Sequence, residues 1–132
     1  MLVDPSLPVP PDWLLRGAVS AVWLYEGVWC KLLGRGPGQL AVVEAVPFLG
    51  VRWSAHFLRA LGAAETLLGL WALSGWLPGL CALTQTGLLV SLNSGGILWA
   101  RQRIHDPAGM VLKNACLLLL AWVGAAVGRG QP

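Results

Sequence analysis

The sequence predicts an all-α fold: a four-helix transmembrane bundle, up-down and antiparallel, with an interfacial segment between the first and second helices. Three observations predict it. The chain holds four apolar stretches, each near the length of about twenty residues that a helix needs to cross a bilayer core. Hydrophobic residues fill 56% of the 132 positions and charged residues only 11%, against about a quarter charged in soluble domains. Of eight tryptophans, Trp13, Trp53, Trp76 and Trp99 fall where those stretches meet water, as an interfacial belt requires. No polar half remains for a separate soluble domain, so residues 1–132 read as one domain.

The first helix is expected over residues 13–34, WLLRGAVSAVWLYEGVWCKLLG. Asp12, behind two prolines, suits an N-cap, and Gly34, followed by Gly36 and Pro37, suits a stop. Arg16 and Lys31 lie about one turn inside its ends, from where long side chains reach the headgroups. Glu26 is too short to do the same. Residues 35–54 are interrupted by Gly36, Pro37, Gly38 and Pro47, so LAVVEAVPFLGV is expected to lie along the interface. The second helix follows at 55–75. Gly62, Glu65 and Gly69 share one of its faces, where small residues let a neighbour approach and bury the carboxyl group in protein. Ser74, Gly75 and Pro78 form a short uncharged turn that sends the third helix, 77–100, back beside the second. Gln85 and Asn93 sit about 80° apart around it, so both look broadly inward. Asp106-Pro107 pairs an N-cap with a first-turn proline and opens the fourth helix, 107–127, which carries Lys113 and Asn114 nearly two turns inside.

Counted from the helix ends at about 1.5 Å per residue, Glu26, Glu65, Asn93, Lys113 and Asn114 reach a common depth, displaced toward the side of the two longer loops. With Gln85 they make a candidate buried polar site. A carboxylate at that depth is costly unless paired or protonated, and the plain alternative is inter-helix hydrogen bonding that specifies packing. Lys31, Arg35, Arg52, Arg59, Arg101, Arg103 and Lys113 gather on the longer-loop side, against Arg16 and Arg129 on the other. The positive-inside rule then places the longer loops in the cytoplasm and both termini outside. This charge pattern is a topology signal, and no nucleic-acid partner is expected. Cys30, Cys81 and Cys116 fall in separate apolar stretches without a C-x-x-C, so neither a disulfide framework nor a metal site is expected. MLVDPSLPVPPD lacks a basic n-region and reads as a short extended tail instead of a signal peptide.

With WLYEGVWCKLLG, LGAAETLLGLWALSGW, the spaced Gln85 and Asn93, and DPAGMVLKN in that order, the chain resembles the DoxX-like family of small four-helix membrane proteins from about Leu14 to Val127. The resemblance implies an up-down four-helix fold in a prokaryotic cytoplasmic membrane. It also implies one of three settings: a lone protein, a membrane subunit related to thiosulfate:quinone oxidoreductase, or a module behind a soluble short-chain-dehydrogenase-like domain. The last would put the start of the first helix in the cytoplasm, opposite to the charge reading. No catalytic residues come with the family. The positions matching its pattern are Glu26, Glu65, Gln85, Asn93 and Asn114.

Three functions fit these residues. The first is an accessory or redox-associated membrane module whose apolar interior, with a few convergent polar groups, binds a small lipophilic molecule such as a quinone. Without a C-x-x-C, a haem-ligand pair or a dinucleotide-binding glycine motif, electrons would come from the cofactor of a membrane or soluble redox partner protein. The second is a small proton-linked transporter or channel using Glu26 and Glu65, two acids that would repel in one low-dielectric layer. Four short helices leave little room for a path, which favours a homo-oligomer, and Gly124-x-x-x-Gly128 is a hint of helix association. The third is an assembly scaffold in which the polar layer fixes the packing. Independent catalysis is not expected, for the sequence offers no nucleophile, base and orienting group. His56 and His105 fall near helix ends and are expected at the interface, not on a metal.

Overall fold

The apolar stretches all become helix. The computed structural model describes residues 8, 10–36 and 38–129, so most of the proline-rich leader and Pro37 lie outside the described residues. Helix α1, Asp12–Leu24, runs without a break into a π-helical segment, Tyr25–Leu32. A short α2, Gln39–Glu44, precedes α3, Gly50–Ser74; α4, Pro78–Ala100, ends in a 3-10 turn, Arg101–Arg103, and α5 spans Pro107–Arg129. No strand occurs among the described residues.

Two boundaries differ from expectation. The interfacial segment is shorter than 35–54, because α3 begins at Gly50 and absorbs Arg52, Trp53 and Ser54, whose hydroxyl bonds back to the Gly50 carbonyl. Asp12 is the first helical residue, not the cap. Pro11 holds the cap position, and the Asp12 carboxylate lies 2.9 Å from Arg16 Nε one turn on, an i,i+4 pair at the positive end of the helix dipole. At the other helix starts and stops the punctuation works as read. Asp106 Oδ1 accepts from the Gly109 N–H at 3.0 Å, and Gly75 closes α3 with φ of 74°, a left-handed conformation that costs glycine little.

Two helices, Gly50–Ser74 and Pro107–Val127, are long and apolar enough to cross a membrane. Four such spans are expected from the sequence. The first stretch is divided between two kinds of helix and carries Asp12, Arg16, Glu26 and Lys31, while Thr84–Thr86 and Ser91–Gly96 dilute the hydropathy of α4.

The packing alternates in direction. Against α1, α3 runs antiparallel: Arg16 reaches the Leu73 carbonyl at 2.8 Å, and Gly27, farther along, sits against Gly62 and Thr66. The pairs Thr86–Trp122 and Asn93–Asn114 set α5 antiparallel to α4, and Leu15 packs under Gly124. All four long helices supply the core, with Val19 and Trp23 from α1, Leu68 and Ala72 from α3, Cys81 and Leu89 from α4, and Leu117 and Ala121 from α5. The outside is equally apolar. Leu67, Leu70, Leu83, Val90, Leu98, Leu112 and Leu119 are all at least half exposed, a surface far richer in large aliphatics than a water-soluble protein presents.

Candidate functional site

The π-helical segment makes the site. In an α-helix, residues five apart point about 140° away from each other. Hydrogen bonding from i to i+5 winds five residues closer to one turn, and Glu26 and Lys31 then meet on one face. Lys31 Nζ lies 3.4 Å from Glu26 Oε2 and 2.9 Å from Glu65 Oε2, presented by α3. Gln39 of α2 adds an amide N–H, donated to Glu26 Oε2 at 3.2 Å.

Glycine brings α1 and α3 close enough for this. A Cβ on Gly27 would stand 2.6 Å from Thr66 Oγ1 and 2.7 Å from the Gly62 carbonyl, and one on Gly62 would stand 2.7 Å from Lys31 Cβ. Gly62, Glu65 and Gly69 are all buried on the α1-facing side. Exposure then grades outward: Glu65 is 2% exposed and Lys31 8%, whereas the Glu26 side chain is 39% exposed. Two carboxylates meet one ammonium, which leaves one formal negative charge when all three are ionised. Among the described residues Glu65 Oε2 has no partner beyond the ammonium. Such a cluster can take up a proton at its open edge, or hold a dipole against the ammonium.

The remaining expected site residues fall elsewhere. Gln85 is 3% exposed and accepts from Trp23 Nε1 at 2.8 Å. Asn114 donates to Asn93 Oδ1 at 3.0 Å, and Asn93 also donates to the Leu89 carbonyl at 2.7 Å. Lys113 is exposed on α5, free to extend toward headgroups. The single polar level is thus three hydrogen-bonded groups with no described hydrogen bond between them. Among the described residues no three His, Cys, Asp or Glu side chains could hold a metal ion, and His56 and His105 are exposed.

A cleft opens between α1, α3, α4 and α5 at the end where α1 begins. Leu15, Arg16, Ala72, Cys81, Gln85 and Ala121 line it, with about 70 Å³ open to water-sized molecules. Among the described residues the Gln85 amide nitrogen has only the Cys81 sulfur, at 3.4 Å, as acceptor, so a donor there is weakly used. Arg16 is held at the cleft between Asp12 and the Leu73 carbonyl.

The sequence model of the DoxX-like family matches residues 20–122. The chain belongs to the DoxX-like family. It is a membrane protein of that family, and the matched stretch takes in the ion cluster, Gln85 and the asparagine pair. Searches of curated proteins and of solved structures each found no match. In this DoxX-like protein, sequence reasoning missed Lys31 and Gln39. Lys31 was expected to snorkel, but it turns inward and bridges two acids. Its signal was the unpartnered Glu26 five residues earlier, meaningful only once the winding is known. Gln39 lies in a segment with no feature to mark it.

Proposed function

We propose that this protein is a four-pass module of a prokaryotic cytoplasmic membrane that binds the polar end of a small lipophilic molecule, such as a quinone, in the service of a redox partner. Gln85 carries the reading. It is a buried amide in an otherwise mainly apolar cleft, its oxygen fixed by Trp23 and its N–H₂ facing only a thiol, the arrangement that receives a ligand carbonyl. The cleft is smaller than the roughly 300–1,000 Å³ of drug-sized pockets, so it takes a ring edge or compact head and leaves the tail in lipid. Electrons come from the partner's cofactor.

The test is purification in mild detergent, extraction of bound quinone, and titration with a short-tailed quinone read by tryptophan fluorescence, because Trp71 and Trp76 line the cleft. Wild-type protein is expected to bind, Gln85→Leu to lose binding while staying helical, and Glu65→Gln to keep it. Absence of quinone in the wild type, before and after titration, refutes the reading.

A second reading, proton-linked transport, is favoured by one observation: the graded exposure from Glu65 through Lys31 to Glu26. Vesicles loaded with a pH dye test it. Flux lost in Glu65→Gln supports it, and a wild type no leakier than empty vesicles rules it out.

A further inference from the structure

We infer that the outer face where α4 meets α5 is a binding site for an anionic phospholipid, with Arg101 on the phosphate and one acyl chain along α5. The inference rests on the four-pass reading and not on the quinone reading.

The groove is apolar except at one end. Ile97 of α4 and Pro107, Val111, Leu112 and Ala115 of α5 form it, and Arg101 is its one charged residue. Arg101 directly follows α4, a helix whose 23 residues rise about 35 Å at roughly 1.5 Å each, so its guanidinium belongs at the headgroups beyond a hydrocarbon core of about 30 Å. The aromatic pair Phe48–Trp99, with ring centroids 5.5 Å apart, marks the same level, as aromatic residues at a membrane boundary do. From Pro107 to Ala115 the groove descends about 12 Å along α5, the upper part of one acyl chain.

Charge identifies the head. The described ion pairs all lie within α1, the π-helical segment and α3. Arg103 is engaged with the Ala41 carbonyl at 2.9 Å, whereas Arg101 has no carboxylate or carbonyl partner among the described residues. An exposed guanidinium at the headgroup end of an apolar groove complements a phosphate with no compensating cation, as in phosphatidylglycerol, and not the neutral head of phosphatidylcholine.

The experiment compares lipid retention. Protein in mild detergent is mixed with equal amounts of phosphatidylglycerol and phosphatidylcholine of the same chains, and bound lipid is counted by native mass spectrometry. Wild-type protein is expected to retain phosphatidylglycerol preferentially. Arg101→Gln is expected to cut that preference about fivefold, the effect of one basic residue at a membrane surface, while Arg59→Gln, an exposed arginine on α3, leaves it unchanged. Ala115→Trp, which fills the groove without touching the charge, is expected to lower retention of both lipids. Equal retention of the two lipids by the wild type, or an undiminished preference in Arg101→Gln, overturns the proposal. Quinone titration of Arg101→Gln separates the readings, since Gln85 and the cleft are untouched.

Discussion

The Lys31 ammonium decides whether two carboxylates can stay where they are. Removing one partner of a buried ion pair costs about 3–5 kcal/mol, because the other charge is left without compensation, while replacing the pair by apolar groups is often neutral. Lys31→Met is therefore expected to lower stability by about that amount in denaturant unfolding followed by circular dichroism in detergent. Lys31→Met combined with Glu65→Leu is expected to recover part of the loss. A double variant as unstable as the sum of the singles would show that the contact contributes nothing. The amides matter less. Asn114→Leu breaks one inter-helix hydrogen bond, for which about 0.6 kcal/mol is the membrane average, and Asn93 keeps its bond to the Leu89 carbonyl. Gln85→Leu strands the buried Trp23 N–H, at about 1–3 kcal/mol.

Among elements, the seam between α1 and α3 is the tightest, and glycine sets it. Gly27→Ala puts a methyl group into the Thr66 hydroxyl and the Gly62 carbonyl, and overpacking of this kind costs about 1–3 kcal/mol. Gly87→Ala on α4 meets nothing within 4 Å and is expected to be neutral or stabilising by up to about 1 kcal/mol through helix propensity. Thermal unfolding of both variants is the comparison. The π-helical winding is separately testable. Deleting Val28, an exposed residue of that segment, with return to α-helical winding leaves Lys31 four positions after Glu26, about 40° around the helix, and is expected to keep the cluster and cost less stability than Lys31→Met. Helices α4 and α5 were legible to within two residues because Pro78, Asp106 and Pro107 punctuate them. The start of α3 was not, since it opens on Gly50, with φ of 62°, a residue that reads as one more interruption after Pro47. The cluster was half legible: the acids stand out in apolar sequence, but α-helical geometry sends Lys31 away from Glu26, and only the altered winding and the glycine seam reverse that.

At the scale of the whole molecule, the four passes proposed above would put both termini on one side, and the basic residues near α2 and the α4–α5 turn predict that this side is outside. Reporter fusions after Arg129 are expected to give active alkaline phosphatase and dark green fluorescent protein; the opposite pattern reverses the orientation, as a preceding cytoplasmic domain would require. The bridge from Lys31 to Glu65 also bears on how the chain reaches the bilayer. A charge at the centre of a span resists insertion by about 2.5–3.5 kcal/mol, and the two partners leave the ribosome only on the order of seconds apart. On the four-pass reading, a first helix that waits at the translocon for the arrival of α3 would enter the lipid with its ammonium already matched, and hairpin insertion is expected over one helix at a time.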